Sequence, residues 1–259
     1  MRIFIVTDLE GISGVGTHQQ VIDTDLETRK LLMEDTNAAI RGAFDGGATE
    51  VIVEDGHGGG GNFIEEMLDP RAIMTGSDEA KTNALQKSAD AIMMIGAHAM
   101  AGTQNAFLDH TQSSIAWHDF TMNGRKHGEV GQAAIFAGAF GIPMIMVSGD
   151  LAACAEATSV LGNIKTAVVK YADGREKADC IDPAIARELI YKAAKESIAL
   201  VDKIKPLRPI LPMELKLEFN HTWQCDEHVA YNPDAERVDG RTLRRVIEKV
   251  ETFSDVMIW

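Results

Sequence analysis

The chain has 259 residues, 45% of them apolar or aromatic, enough to fill the core of one large domain or two modest ones at about 150 residues per domain. Its 25 Lys and Arg face 39 Asp and Glu, a formal charge of −14 that repels phosphate backbones and anionic leaflets and so excludes nucleic-acid and membrane-surface partners. No run of 18 apolar residues occurs, no leader-like segment precedes the first apolar run, and Cys154, Cys180 and Cys225 form no CxxC pair, so a soluble cytoplasmic protein with reduced thiols is expected.

Residues 2–7 predict a first strand, and 26–44, with Leu31, Leu32, Ala38, Ala39 and Ala43 at helical spacing, predict a helix capped by Gly46-Gly47. A second strand follows at 49–53, a helix at 80–88 and a third strand at 91–95. Between 113 and 125 the rhythm changes to a strand at 117–122 closing on Asn123-Gly124, a strong hairpin turn. Helices at 131–140, 152–161 and 183–200 and a fourth strand at 144–147 complete the alternation. After Lys203 come Pro206, Pro209 and Pro212, then a half-exposed strand at 215–219 and an amphipathic helix at 242–253. The expected fold is α/β: a mostly parallel sheet with helices on both faces, an antiparallel excursion near 113–125, and a smaller C-terminal α+β subdomain. The expected division is 1–203, carrying the site, and 204–259.

In open α/β sheets ligands bind beyond the carboxyl ends of the strands. Asp8 and Glu10 follow the first strand, Glu54, Asp55 and His57 the second, and His98 the third. Asp8 and Glu10, two apart in extended chain, point the same way and can converge on one cation. His57 and His98 extend that set from neighbouring strands, and Glu129, opening the helix after the hairpin, is a fifth candidate. Five N/O ligands exceed the needs of one four-coordinate zinc. With Asp8 as a bridge they suit a pair of ions roughly 3.5–4 Å apart. An acid closing a strand is often only a helix cap, and a single histidine there is usually satisfied by backbone. Three successive strands that each end in a metal-capable residue favour a site. His110, on a polar turn before the hairpin, is a weak ligand candidate but a reasonable proton carrier or nucleophile. His18, His118, His127, His221 and His228 lack such placement.

Gly56-His57-Gly58-Gly59-Gly60-Gly61 formally matches the dinucleotide fingerprint GxGxxG, with Asp78 about 20 residues on. Such a loop must open a helix to hold a pyrophosphate. Here it runs toward Asp69-Pro70 behind the acidic pair Glu54-Asp55, so nicotinamide binding is the minor reading and a backbone that approaches the site closely the major one.

Taken together, Asp8-Leu9-Glu10-Gly11-Ile12-Ser13-Gly14, Glu54-Asp55-Gly56-His57, Gly96-Ala97-His98-Ala99, His110 and Asn123-Gly124 with Gly128-Glu129 resemble the zinc-dependent D-aminopeptidases of the DppA type, peptidase family M55. The likeness continues through Val147-Ser148-Gly149-Asp150, the region of Lys170, Asp182-Pro183-Ala184 and Glu218-Phe219. The resemblance implies two zinc ions per subunit, with Asp8 bridging, Glu10 and His57 on one ion, and His98 and Glu129 on the other. It implies His110 as the catalytic histidine, a short peptide substrate such as D-Ala-D-Ala, and a homo-oligomer in the form of a ring-shaped decamer. The glycine-rich loop after His57 departs from the family pattern. The residues by themselves leave open a binuclear hydrolase acting on phosphoesters or L-peptides, or a non-catalytic metal-binding module.

Overall fold

The computed structural model describes residues 1–76 and 79–258, so Asp78 of the glycine-loop pattern lies outside the described residues. In chain order the first half comprises β1 (Arg2–Thr7), α1 (His18–Asp23), α2 (Leu26–Gly46), β2 (Glu50–Asp55), β3 (Ile73–Met74), α3 (Glu79–Lys87), β4 (Ala91–Ala97), β5 (Trp117–Met122) and β6 (Arg125–Lys126). The second half comprises α4 (Glu129–Ala139), β7 (Met144–Asp150), α5 (Leu151–Leu161), β8 (Lys165–Ala172), β9 (Ala178–Cys180), α6 (Pro183–Ser197), β10 (Met213–Phe219), α7 (Thr222–Tyr231), β11 (Glu236–Arg237) and β12 (Thr242–Ile247). Local chemistry sets the ends. The Asp25 side chain caps α2 by accepting from Thr28 N–H, Gly47 stops that helix at φ 114°, and Asp182 caps α6 ahead of Pro183.

Seven strands form one sheet in the order β3-β2-β1-β4-β7-β8-β9, parallel throughout except for β8 and β9. Alternate residues serve opposite faces. Ile3, Ile5, Val51 and Val53 pack beneath α2 and α6, whereas Phe4, Ile52, Ile92 and Met94 pack beneath α4 and α5. The expected architecture is therefore present.

The remaining strands form an antiparallel sheet, β11-β12-β10-β5-β6, which draws the 117–126 hairpin together with the C-terminal segment. Helix α4 lies between the sheets, with Val130, Ala133, Ala134 and Ala137 in the core of the first and Ile135 and Phe136 in that of the second. A helix buried on both sides has a fixed N-terminus, and Glu129 is its first residue.

The helix expected at 242–253 is instead β12 followed by a 3₁₀ turn at Phe253–Val256. Leu243 and Ile247 share a helical spacing, but they face the core because Leu243 pairs with Leu217 and Ile247 with Met213 across β10. Tertiary pairing overrode a pattern that fitted either element.

Asp35 on α2 is fully buried and accepts two hydrogen bonds from Ser13, from its N–H at 2.7 Å and from its hydroxyl at 2.6 Å. Burial outweighs these bonds and raises its pKa to about 6. A folded-state pKa above the unfolded value gives stability that is complete below about pH 4 and is lost as pH rises through about 6. The gap corresponds to on the order of 3 kcal/mol. Chemical denaturation between pH 4 and pH 7 should show this erosion, and Asp35→Asn should flatten it; an unchanged slope in the variant would refute the assignment.

Candidate metal centre

Because β2, β1 and β4 are neighbours, the residues leaving their carboxyl ends meet at one edge. Asp8 follows β1, His57 lies two residues past β2, and His98 follows β4. The 8–14 segment is pinned against the β4 exit by Asp8 N–H to Ile95 O (2.8 Å) and Gly11 N–H to Gly96 O (2.7 Å). A Cβ on Gly11 would stand 2.0 Å from Ala97 O, and one on Gly96, at φ +83°, would stand 2.1 Å from Asp8 O. Only glycine at both positions lets these turns touch, and their contact sets the distance from Asp8 to His98.

His57 Nδ1 stands 3.0 Å from Asp8 Oδ1 and 3.1 Å from Glu10 Oε2. His98 Nε2 lies 3.3 Å from both Asp8 Oδ2 and Glu129 Oε1. The two Asp8 oxygens thus divide between the imidazoles. His110 Nε2 is 3.9 Å from Glu129 Oε1, and its ring stacks on that of His98 at 3.8 Å and 10°. All six residues singled out from the sequence come together.

A cation fits this donor set. Asp8 Oδ2, Glu10 Oε2 and His98 Nε2 are buried and have no hydrogen-bond partner, a costly state unless a ligand satisfies them. His98 Nδ1 lies 3.1 Å from Ala99 O. A carbonyl only accepts, so Nδ1 carries a proton, and release of the second proton to a bound cation would aim the Nε2 lone pair between two carboxylates, the orientation of a metal-ligating histidine. Burial favours neutral carboxyls, yet the imidazoles hold Glu10 and Glu129 below the usual carboxylate range. Burial likewise opposes imidazolium at His57, yet Asp8 and Glu10 push it up to about 10, and Glu129 and Asp8 raise His98 well above its ordinary value. The field at the site strongly favours positive charge.

Two supporting residues were not foreseen. Gln112 N–H donates to Glu129 Oε1 at 2.7 Å, and Glu156 Oε2 accepts from Met100 N–H at 2.7 Å, steadying the turn after His98. Glu156 carried a signal, an acid on the inward face of α5 beside buried Ala153 and Ala157. Gln112 carried none. After His57 the chain makes single 3₁₀ turns at His57–Gly59 and Glu65–Met67, and among the described residues no α-helix begins at the glycine loop. The glycine pattern therefore lacks the helix N-terminus that a pyrophosphate needs. Beside this cluster opens a cavity of about 680 Å³, reached by Asp8 and Glu129 and bounded by β2, α3 and residues 253–257. No Lys or Arg is among the described residues lining it.

The Peptidase M55 family model, described as D-aminopeptidase, matches residues 1–258. The D-aminopeptidase of Bacillus subtilis (strain 168) is 32% identical over 233 residues, covering 87% of this chain and 84% of that protein. The solved structure of the Zn-dependent D-aminopeptidase DppA from Bacillus subtilis, a self-compartmentalizing protease, is similar with a TM-score of 0.92 at 29% identity, covering 99% of this chain and 95% of that one.

Proposed function

The chain belongs to the Peptidase M55 family of D-aminopeptidases, and from that premise we propose a binuclear zinc aminopeptidase that cleaves short peptides at a free N-terminus, D-amino-acid dipeptides such as D-Ala-D-Ala above all. The observation that carries the reading is the buried His98 Nε2, unpartnered and aimed between Asp8 and Glu129 at 3.3 Å from each. Asp8 would be shared between the ions, with Glu10 and His57 holding one and His98 and Glu129 the other. Such a pair of ions, when bound, polarises the scissile carbonyl and activates water.

His110 supplies the proton chemistry. Its Nδ1 donates to Leu108 O at 2.8 Å, which leaves Nε2 of the neutral ring free to accept on the side facing Glu129. From there it takes up the proton released during attack and returns it to the leaving amine. A phosphoester substrate is disfavoured, because phosphate recognition recruits Arg or Lys and the cavity walls offer neither among the described residues.

All six site residues fall within 1–203, to which we assign catalysis, with 204–259 as the smaller subdomain. A ring-shaped decamer in the cytoplasm accompanies the reading. Exposed Ile115, Ile210 and Tyr231, each more than 70% accessible, offer apolar surface for subunit contacts. No described helix is long and apolar enough to cross a membrane.

The test is metal content alongside turnover of D-Ala-D-Ala and L-Ala-L-Ala. The expected result is two zinc equivalents, release of D-alanine, and a His110→Ala variant that keeps its zinc while losing about 10²- to 10⁴-fold in rate. Full metal loading with no hydrolysis of any peptide would leave a binding module, and a strong preference for the L-isomer would remove the D-specificity alone.

A further inference from the structure

The core-facing side of α3 is polar. Thr82, Asn83 and Gln86 are 8, 6 and 4% exposed, and all three line the cavity that adjoins Asp8 and Glu129. A helix of a globular protein ordinarily turns apolar residues inward. Here the polar groups open onto the cavity instead, where a ligand could hydrogen-bond them. Asn83 Oδ1 accepts from Phe253 N–H at 3.3 Å, whereas the Gln86 amide has no hydrogen-bond partner among the described residues. Glu54, near the end of β2 and beside Val6 in register, lines the same cavity, its carboxylate also without a hydrogen-bond or cationic partner among the described residues. Burial and the neighbouring Asp55 raise its pKa to about 7, as befits an acid with no counter-charge. The zinc site uses neither Glu54 nor Gln86.

We propose that this cavity is a side-chain pocket that selects peptides carrying an ammonium-bearing residue of lysine type, with Glu54 as the charge partner and Gln86, which lines the same cavity, as a hydrogen-bond acceptor. The inference rests on the aminopeptidase reading and adds a substrate class to it. The volume suits it: at about 680 Å³ the cavity falls within the roughly 300–1,000 Å³ of ordinary ligand pockets. The charge suits it as well. Glu54 and Asp55 join Asp8 and Glu129 in walls whose described residues include no Lys or Arg, so the field concentrates cations. A purely apolar side chain would leave the Glu54 and Gln86 groups unpaired, and an ammonium at the end of a flexible stem satisfies both.

The test compares kcat/KM of the zinc-loaded enzyme for D-Lys-D-Ala against D-norleucyl-D-Ala, and for D-Ala-D-Lys against D-Ala-D-norleucine, which differ only in the terminal ammonium. A lysine preference of about tenfold or more in at least one pair is expected, carried mainly by KM, with Glu54→Gln collapsing that ratio. Because the readout is a ratio within one protein, losses common to both substrates cancel. Gln86→Leu, on α3, provides a second variant should Glu54→Gln fold poorly, and it should lower the same ratio. Equal rates within both pairs while D-Ala-D-Ala is cleaved would overturn the pocket assignment alone. If no peptide is cleaved, the aminopeptidase reading fails, and calorimetry of D-lysine against D-norleucine then decides the pocket: tighter D-lysine binding that Glu54→Gln removes supports it, and equal binding refutes it.

Discussion

Replacing Asp8 by Ala is expected to abolish two-zinc binding and lower kcat by about three orders of magnitude, equivalent to about 4 kcal/mol of barrier. Among the described residues Asp8 is the only carboxylate whose two oxygens face different imidazoles, Oδ1 toward His57 and Oδ2 toward His98. On the proposed two-ion reading its loss therefore strikes both halves of the centre, whereas Glu10→Ala or Glu129→Ala strikes one. Changes in groups that merely orient a ligand cost roughly 10- to 100-fold in metal affinity, and loss of the shared ligand should exceed that. A second measurement separates metal loss from general damage. In chelator-treated protein Asp8 is the partner of both His57 and His98, so Asp8→Ala should lower the metal-free thermal midpoint, because it leaves buried imidazoles without their counter-charge. Excess zinc should then raise the midpoint of the native protein well above its chelator-treated value and leave that of Asp8→Ala nearly unchanged. Two tightly held zinc equivalents in the variant would refute Asp8 as the bridge.

The centre was legible because it follows from topology. Asp8, His57 and His98 each stand just past a short apolar run, and an α/β alternation places such positions at one edge. Glu129 was readable as the first residue of a helix after an Asn-Gly hairpin. What joins these residues was less visible. Gly11 and Gly96 read as loop glycines, and only the fold shows that a Cβ on either would collide with the opposite turn. The inward face of α3 escaped notice because its pattern of Thr82, Asn83 and Gln86 reads as a solvated surface. Strand β8, with Lys165 and Lys170 breaking its apolar residues, gave no clear period. The segment beginning at Thr242 misled for the opposite reason: Leu243 and Ile247 fit a helical face, and their pairing with β10 is a long-range fact no local period encodes.

Lys170 in β8 concerns both stability and metal, and Lys170→Met is the second large effect expected. Its side chain is fully buried, and Nζ donates to the carbonyl oxygens of Glu10, at 2.6 Å, and Val15 while resting 4.8 Å from the Phe107 ring centre. Burial pushes its pKa down to about 8, so near neutral pH it remains largely protonated and keeps its donors. These bonds clamp both ends of the loop that carries Glu10, and Asp35 holds the middle through Ser13. Methionine preserves the apolar stem but leaves both carbonyls without a donor, at about 1–3 kcal/mol each. For a chain of this size that corresponds to a fall in thermal midpoint of about 5–20 °C. Zinc affinity, measured by chelator competition well below that midpoint, should fall as well, because a loosened loop no longer presents Glu10 beside Asp8. Lys170→Gln, which retains two N–H donors, should recover part of both losses. A destabilised Lys170→Met protein that still binds zinc as tightly as the native one would show that this lysine supports the core without positioning the metal ligand.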